Sequence, residues 1–431
     1  MRQKRWFLSL VCLLLAMLLA GCGQQSVSKE ELQPEQSGES AMQEALEPNG
    51  DTVKEESPKE SQEEGMKEGA EEAKESEELA PLSPVDKLLA EMTLQEKVGQ
   101  LFFVRPDSLA GVNDVTTMTE EMQKALREYP VGGIIMFAGN ITSAEQITAF
   151  HAALQAHSEI PLFLSVDEEG GRVARIANHE AFDVPTYRSA AAVGREGNPG
   201  AALAMGETIG TYLREYGFNM NFAPVADVNT NPNNPVIGNR AFSSDAATAA
   251  AMASAMAEGL RKQGILPVYK HFPGHGDTAE DSHVGIAVSN KTAEEMAACE
   301  WLPFMQANDR DCIMVGHIAV PSITGDMTPA SMSYTVVTEI LREQLGFDGL
   351  IITDGLEMGA VTQLYSSGEA AVSAILAGCD MLLVPVNMQE AFEAVITAVE
   401  NSEISMERLD ESVRRILSFK LEQIGSLGEN G

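Results

Sequence analysis

The chain has 431 residues, with 64 aspartates and glutamates against 29 lysines and arginines, and its formal net charge at pH 7 is −35. This excess of negative charge argues against nucleic acid or an anionic membrane surface as a binding partner, because both repel an acidic protein. The five cysteines are too few and too widely spaced for a disulfide framework or a structural metal site.

The first 21 residues are expected to be a lipoprotein signal peptide. A short basic segment precedes the apolar run WFLSLVCLLLAMLLA (6–20), which is shorter than the roughly 20 residues that span a bilayer. The run ends in LAGC (19–22), which resembles a bacterial lipobox and implies cleavage before Cys22 and lipid on its sulfur. An uncleaved N-terminal anchor is the alternative. Both interpretations place the protein outside the cytoplasm and at a membrane surface.

Residues 22–83 are predicted to be the lipidated cysteine followed by a disordered acidic linker. Positions 23–83 contain 18 acidic residues, five lysines and no aromatic residue. Such a segment cannot bury enough apolar surface to offset the entropy lost on ordering. We therefore expect a self-repelling tether, which lets the following domain, residues 84–431, range away from the lipid.

Within residues 84–431, short apolar runs alternate with longer helical stretches. The runs are GQLFFV (99–104), VGGIIMF (131–137), PLFLSVD (161–167), FNMNFAPVADV (218–228), ILPVYKHF (265–272), CIMVGHIAV (312–320), GLIITDG (349–355) and CDMLLVPV (379–386). Apolar strands that alternate with helices predict a parallel sheet covered on both faces. Eight such units predict a single α/β domain, a (β/α)8 TIM-type barrel. A doubly wound open sheet is the alternative.

Three helical stretches are clear from composition and spacing. They are AATAAAMASAMAEGLRKQG (246–264), GEAAVSAILAG (368–378) and SMERLDESVRRILSFKLEQIG (405–425). The last has an apolar face at helical spacing and is expected to close the outer ring of the barrel.

Polar residues fall where the predicted strands end, which is where the active sites of (β/α)8 barrels lie. Those at or just after a strand are Asp167, Asp227, Lys270, His271, His317 and Asp354, and Arg240 lies in the loop after the fourth strand.

The loop after the fifth strand, KHFPGHGDTAEDSH (270–283), holds three of the seven histidines. A metal site formed by these histidines with Asp277 or Asp281 is one interpretation. Lys270, beside the first histidine, argues against a metal site because a cation next to a metal ion is unfavourable. The prolines and glycines also prevent the helical spacing that metal ligands often have. No metal or other cofactor is therefore expected.

Proton transfer fits the same loop better. Asp281 and His283 flank one serine, and a carboxylate that holds the imidazole tautomer makes the histidine a general acid and base. A carboxylate nucleophile at Asp354, opposite such a proton donor, has the layout of a retaining glycosidase, with a histidine in place of the second carboxyl group. The alternative for Asp281 and His283 is a hydrogen bond that only braces the loop.

The same residues carry a family resemblance. All fourteen positions of KHFPGHGDTAEDSH are similar to the signature of glycoside hydrolase family 3 β-N-acetylhexosaminidases, and the resemblance spans roughly residues 85–420. Other similar segments are VDEEGGRV (166–173), FAPVADV (222–228), IGNRAF (237–242), PASMS (329–333) and TDGLEM (353–358).

The resemblance implies a role for each matching residue. Asp354 would be the nucleophile, and His283, oriented by Asp281, would be the acid/base. The residues implied to hold the sugar are Asp167, Arg240, Lys270 and His271. Glu168 stands where the family more often has glutamine, and we expect it to add charge beside Asp167.

For the remaining histidine and loop residues, the sequence predicts structural roles. His275 and Asp277 are expected to brace the loop, and His317 is either a pocket wall or a core histidine. The histidines expected at the surface are His151, His157 and His179.

The resemblance implies an exported exo-β-N-acetylglucosaminidase that acts on β-linked N-acetylglucosamine, and the tether favours cell-wall fragments as its substrate. A phosphorylase of the same fold is an alternative, because a neutral imidazole does not repel phosphate. A β-glucosidase is another, although its family-3 members usually carry a second domain, which is not expected here. The alternatives from other classes are a sugar-binding lipoprotein and a metal-dependent hydrolase.

Overall fold

The computed structural model describes residues 82–282 and 285–425. The expected signal peptide, Cys22, nearly all of the expected linker and His283 therefore lie outside the described residues. Eight parallel strands, one from each predicted apolar run, are β1 Phe102–Val104, β2 Gly133–Met136, β3 Phe163–Val166, β4 Met220–Asn221, β5 Leu266–Phe272, β6 Cys312–Val315, β7 Leu350–Thr353 and β8 Leu382–Leu383.

The strands pair in the order β7-β6-β5-β4-β3-β2-β1-β8. A parallel bridge between Ile352 and Met381 then joins β7 to β8, and the Thr353 amide donates to the Met381 carbonyl at 3.1 Å. The predicted (β/α)8 barrel is therefore confirmed, and the open doubly wound sheet is wrong.

Every strand is shorter than the apolar run that predicted it, and for two of them the structure shows where the rest of the run goes. In the fourth run only Met220 and Asn221 form a strand, followed by an isolated bridge between Val225 and Lys270. Pro224 lies between them and has no amide hydrogen to donate to a neighbouring strand. The sixth run divides, because its second half, Ile318–Ala319, pairs with Ala287–Val288 outside the barrel.

Aromatic rings fill the inside of the barrel. The ring of Phe103 on β1 lies 6.5 Å from that of Phe163 and 5.5 Å from that of Phe222, measured between centroids. Gly133 on β2 is required for this packing, because a Cβ atom there would lie 2.5 Å from the Phe103 ring. The barrel is thus a packed core rather than a channel.

Helices surround the barrel and fill its loops. The α helices are Pro84–Glu91, Leu94–Gln100, Pro106–Ala110, Glu120–Glu128, Ala144–Ala156, Ala190–Gly194, Pro199–Glu215, Ala246–Lys262, Ala293–Ala298, Pro321–Thr324, Gly359–Thr362, Ser367–Ala377, Met388–Glu400 and Met406–Ile424. Thr335–Gln344 winds as a π helix, and the 3₁₀ turns are Ala138–Asn140, Gly238–Arg240, Phe304–Gln306 and Ala330–Met332. Each of the three predicted helical stretches matches one of these helices to within two residues at either end.

Helix ends follow local sequence signals. The C-terminal helix Met406–Ile424 begins at Ser405, whose hydroxyl accepts from the Arg408 amide, and it ends at Gly425 with φ 85°. A polar N-cap and a left-handed glycine satisfy the backbone groups that a helix leaves unpaired at its ends. Among the described residues no helix is both long enough and apolar enough to cross a bilayer.

A small hairpin after β3 reverses the chain at the edge of the barrel. Its strands are Glu168–Gly170 and Val173–Ala174, which pair antiparallel. Gly170 and Gly171 form the turn with φ 81° and 73°, a backbone conformation that favours glycine. The reversal carries Glu169 and Arg175 to the carboxyl ends of the strands.

Candidate active site

A cavity of about 360 Å³ lies at the carboxyl ends of the barrel strands. Five of the residues that the sequence singled out line it: Asp167, Arg240, Lys270, His271 and Asp354. The other polar or charged residues in its wall are Glu169, Arg175 and Glu357. The five predicted residues span 187 positions of the chain and meet in one small space, because the strands end at the same face.

Four of these side chains form a buried ion cluster, defined here as the cavity cluster: Asp167, Glu169, Arg240 and Lys270. The Lys270 ammonium donates to Asp167 at 2.7 Å and lies 2.8 Å from Glu169. Arg240 donates twice to Glu169, at 2.8 and 2.7 Å. These short, charge-assisted contacts fix all four groups relative to one another.

Within the cavity cluster, mutual attraction outweighs the cost of burial. Burial alone raises the pKa of Glu169, but Arg240 and Lys270 hold that pKa far below the usual carboxyl range. Burial likewise lowers the pKa of Lys270, but Asp167 and Glu169 raise it overall. Both residues are therefore charged at neutral pH. Asp167, whose side chain is 19% exposed, is the carboxylate that a ligand in the cavity can reach.

Lys270 and His271 are consecutive in β5, yet both line the cavity. In a regular strand, consecutive side chains point to opposite faces. Here the register between β5 and β6 shifts between Tyr269 and Phe272, which interrupts the alternation. Lys270 and His271 are the two residues within this irregular stretch, and both side chains reach the cavity.

Asp227 orients His271 from behind. Its carboxylate accepts from His271 Nδ1 at 2.7 Å and from the backbone amides of His271 and His275 at 3.3 and 2.6 Å. Asp227 is fully buried behind the ring. Because it binds Nδ1, the Nε2 side of the ring is left to face the cavity.

Asp354 directly follows β7 at the floor of the cavity, and its carboxylate accepts from the Gly355 amide at 2.8 Å. Burial raises the pKa of this carboxyl group, but interactions with His271, the Gly355 amide and Lys270 outweigh burial and hold the pKa below its ordinary value. The carboxylate is therefore ionised at neutral pH, as a nucleophile must be.

His317 lies behind Asp354 rather than in the cavity wall. Its Nε2 donates to the Gly355 carbonyl at 2.9 Å, and Nδ1 contacts the Ser331 hydroxyl at 2.7 Å. Burial lowers the pKa of this histidine, which keeps the ring neutral. Of the two roles open to it, the structure favours the core histidine.

Hydrogen bonds anchor the first part of the long loop after β5. His275 Nδ1 contacts the Thr278 hydroxyl at 2.7 Å, and Nε2 contacts the Ser282 hydroxyl at 2.9 Å. Asp277 accepts from Ser289 at 2.6 Å. The bracing roles predicted for His275 and Asp277 agree with these contacts. Asp281 is described but His283 is not, so the geometry of the predicted acid/base pair lies outside the described residues.

In the described part of the chain, no three histidine, cysteine, aspartate or glutamate side chains are arranged to hold a metal ion. The nitrogen atoms of His275 that a metal would need are in hydrogen bonds to hydroxyl groups, and His271 Nδ1 is bound to Asp227.

Sequence reasoning misjudged Glu168 and missed its neighbour Glu169. Glu168 does not add charge beside Asp167, because it is fully buried under the hairpin. There it accepts from the Ile176 and Ala177 amides at 2.8 and 3.0 Å. Glu169 instead enters the cavity cluster. The double glycine that follows indicates a tight turn, and it was the available signal that this segment folds back on the site.

Arg175 also escaped the sequence analysis. It lines the cavity, and its Nε is buried without a hydrogen-bond partner among the described residues. The predicted surface position of His151 is wrong. His151 is 2% exposed, donates from Nδ1 to the Tyr216 carbonyl at 2.8 Å and packs edge-on against Phe218. His157 is exposed, as predicted, and His179 is half-buried.

Comparison with known proteins identifies the family. The family model described as the glycosyl hydrolase family 3 N terminal domain matches residues 93–419. "Beta-hexosaminidase A" of Pseudoalteromonas piscicida is 33% identical over 333 residues, which are 71% of this chain and 56% of the relative. "Beta-hexosaminidase LpqI" of Mycobacterium tuberculosis is 34% identical over 77% of this chain and 84% of its own length.

Solved structures give the same result. A family 3 β-N-acetylglucosaminidase from Paenibacillus sp. str. FPU-7 is 36% identical with a TM-score of 0.73, over 79% of this chain and 64% of that one. The β-glucoside phosphorylase BglX is 28% identical with a TM-score of 0.70, over 79% of this chain and 60% of that one. The chain thus spans little more than half of several relatives. The barrel, the cavity and the extent of the family match together show that the chain belongs to glycosyl hydrolase family 3.

Proposed function

We propose that the chain is a retaining exo-β-N-acetylglucosaminidase, which removes a terminal, non-reducing, β-linked N-acetylglucosamine. The observation that carries this proposal is Asp354, a half-buried carboxylate kept ionised in a cavity whose other charged groups include Asp167, Arg240 and Lys270, which can bind hydroxyls. The cavity, at about 360 Å³, is at the small end of ligand pockets, and this size suits a single terminal sugar. The β-hexosaminidase relatives support the choice of sugar.

In the proposed reaction, Asp354 attacks the anomeric carbon while a proton donor protonates the leaving oxygen. The resulting glycosyl-enzyme is then hydrolysed by water, and the configuration is retained after two inversions. We assign the proton donor to His283, oriented by Asp281, on the resemblance of the loop sequence alone. His283, neutral after the first step, would then take a proton from the attacking water.

The other cavity residues would hold the sugar. Asp167 is the reachable carboxylate and would accept from sugar hydroxyls, while Lys270 and Arg240 would donate to sugar oxygens. His271, fixed by Asp227, would present Nε2 to the same ring. The cavity cluster sets these groups in place before substrate arrives, which lowers the entropic cost of binding.

We further propose that the natural substrate is a cell-wall fragment containing N-acetylglucosamine linked to N-acetylmuramic acid, and that lipid on Cys22 holds the enzyme at the outer face of the membrane. The support is the lipobox and the acidic tether in the sequence. Purified protein that ignored such fragments but cleaved other β-glucosaminides would remove the first proposal. Metabolic labelling with a fatty-acid analogue, with Cys22→Ala as control, tests the second.

The first experiment compares an aryl β-N-acetylglucosaminide with the matching aryl β-glucoside on the purified full-length chain. We expect preferential cleavage of the acetamido sugar, and a loss of kcat of about 10³-fold or more in Asp354→Asn, because the nucleophile is removed. An unchanged melting temperature in the variant would show that the loss is chemical. Equal turnover in Asp354→Asn would refute Asp354 as the nucleophile.

A phosphorylase is the second candidate, and the similarity to the β-glucoside phosphorylase favours testing it. Each assay is therefore repeated with inorganic phosphate. Free N-acetylglucosamine as the product, with or without phosphate, supports the hydrolase. Strong stimulation by phosphate, with a sugar 1-phosphate as the product, would establish the phosphorylase instead.

A further inference from the structure

A second cavity of about 450 Å³ adjoins the first. It lies between the segment after β1, residues 105–113, and the segment after β8, residues 384–386. Glu357 and Val384 line both cavities, so the two spaces meet at these residues. A group attached to a sugar in the first cavity would therefore reach the second.

The walls of the second cavity are partly apolar. Val112 and Val386 are 60% and 63% exposed, which is unusual for valine, and Val384 and Pro385 also line this cavity. Apolar walls with a few fixed polar groups are typical of a ligand site. They suit the apolar face of a second sugar ring.

Val384 has an uncommon backbone conformation. Its φ is 45°, in the left-handed region that a β-branched residue rarely adopts, and its amide is held by the Phe103 carbonyl at 2.7 Å. Strained residues of this kind cluster at ligand sites, because function rather than stability retains them. This one stands at the junction of the two cavities.

Arg105 is the cation of the second cavity, and its charged group is only loosely paired. One face stacks on the Phe137 ring, with 4.4 Å between the guanidinium carbon and the ring centroid. Its contacts to Asp107 and Glu357 measure 3.3 and 3.4 Å, and its Nε is buried without a partner among the described residues. Charge-assisted contacts are ordinarily 2.7–2.9 Å, the range that Arg240 reaches.

The two acidic neighbours of Arg105 differ in how firmly they are held. Asp107 accepts from the Val115 amide at 3.1 Å and from Asn140 at 3.0 Å, so it belongs to the fold of this segment. Glu357 is 38% exposed, and its contact with Arg105 is long. An exposed ion pair of this kind contributes little free energy, so another carboxylate can replace Glu357.

We infer that the second cavity binds the leaving group, and that Arg105 selects a leaving-group sugar that carries a carboxylate, such as a 3-O-carboxyethyl ether of N-acetylglucosamine. This inference rests on the proposed function. The carboxylate displaces Glu357 and takes the planar fork of the guanidinium in two parallel hydrogen bonds, a geometry that arginine provides and lysine does not.

The test measures kcat/KM of the full-length chain on three disaccharides. Each has β-linked N-acetylglucosamine at the non-reducing end. The leaving sugar is N-acetylmuramic acid, its lactyl amide, or N-acetylglucosamine. The acid and the amide are matched in size, so their ratio isolates the charge. We expect the acid to exceed the amide about tenfold, because a hydrogen bond to a charged group has this magnitude.

Two variants then change the acid-to-amide ratio in opposite directions. Arg105→Gln brings the ratio close to one, and Arg105→Lys keeps part of it, since the charge remains but the fork is lost. Glu357→Gln raises the ratio, because the competing carboxylate is gone. Arg310→Gln, at an exposed arginine away from both cavities, leaves rate and ratio unchanged.

A ratio near one in the parent chain, or an undiminished ratio in both Arg105 variants, overturns the inference and leaves the proposed function standing. If the three disaccharides and the aryl β-N-acetylglucosaminide all go uncleaved, the proposed function fails and the inference fails with it. Should Arg105→Gln not fold, the Arg105→Lys and Glu357→Gln ratios still decide the question.

Discussion

Two buried ion clusters use the same chemistry for different ends. The cavity cluster joins two carboxylates to two cations at the carboxyl ends of the strands. The second cluster surrounds Asp380, just before β8, where Arg342, Arg408 and Arg415 converge on one carboxylate. Asp380 also accepts from the Ser412 hydroxyl at 2.7 Å and the Ile351 amide at 3.0 Å. It therefore ties the C-terminal helix and the helix Thr335–Gln344 to the barrel.

The difference between the clusters is access. The Asp380 side chain is fully buried and both its oxygens bind protein groups, whereas Asp167 is 19% exposed and borders the cavity. The Asp380 cluster thus stabilises the fold, and the cavity cluster holds a reachable carboxylate in a fixed position. Buried charge alone therefore does not mark a candidate functional site, whereas a charged group that also faces a cavity does.

The largest effect on stability is expected from Asp380→Ala. The substitution leaves three arginines without their buried counter-charge, so the free energy of unfolding should fall by about 3–5 kcal/mol, as measured by urea unfolding. At a temperature where the variant remains folded, its kcat/KM should match that of the parent chain. Asp86→Ala, which breaks an exposed ion pair with Arg414, is the matched control and should change stability little. A stable but inactive Asp380→Ala would contradict the division between the clusters.

Glu169→Gln should affect both stability and activity. Arg240 and Lys270 lose their shared negative charge, so we expect a loss of about 2 kcal/mol, less than at Asp380 because water in the cavity can solvate them. The side chains of the two cations should also change position. We therefore expect kcat/KM on the aryl substrate to fall about tenfold or more, mostly through a higher KM. Unfolding and steady-state kinetics on one preparation check both. Activity that survived unchanged would remove Glu169 from the site.

Acid should affect Asp354 in the cavity and the Asp380 cluster together. The pKa values of Asp354 and Asp380 are both lowered in the folded chain from the ordinary aspartate value of 3.8. Their ionised forms therefore stabilise the folded state above the unfolded pKa, and this stability is lost as the pH falls through the folded pKa. We expect the urea midpoint to be nearly constant down to about pH 4 and to fall below it.

The same titration predicts the acid limb of activity. In the proposed mechanism, Asp354 must be ionised in the free enzyme. The pH profile of kcat/KM, which reports on the free enzyme, should therefore fall on the acid side only below about pH 4. Circular dichroism at each pH separates loss of activity from unfolding. An acid limb well above pH 5, with the fold intact, would contradict the ionised state assigned to Asp354.

The smallest effect is expected from Tyr212→Phe. Glu168 has no cationic partner among the described residues, and burial raises its pKa. The Tyr212 hydroxyl donates to this carboxylate at 2.8 Å, so its removal should cost about 1–2 kcal/mol, measured by urea unfolding. Activity should persist, because Glu168 lies under the hairpin and not in the cavity. A larger loss than in Glu169→Gln would reverse the ranking of these neighbouring carboxylates.

Much of the fold and part of the site were predictable from local patterns. Apolar runs alternating with helical stretches predicted all eight strands, and their ends located Asp167, Lys270, His271 and Asp354 at one face. Strand lengths were less predictable, because Pro224 shortens β4 and the end of the sixth run pairs outside the barrel. The buried position of His151 was missed because the ring packs on Phe218, 67 positions along the chain.

The sequence by itself determined which residue types carry the chemistry and on which side of the barrel they lie, since both follow from strand periodicity and parallel topology. Only the tertiary structure decided which of two adjacent glutamates enters the cavity, which aspartate orients His271, and that Arg105 stands over a second cavity. Those outcomes depend on a hairpin turn, a shift of register and contacts between distant segments. The double glycine indicates the turn, but the contacts between distant segments form only when the barrel closes, so no local pattern specifies which side chains the cavity receives.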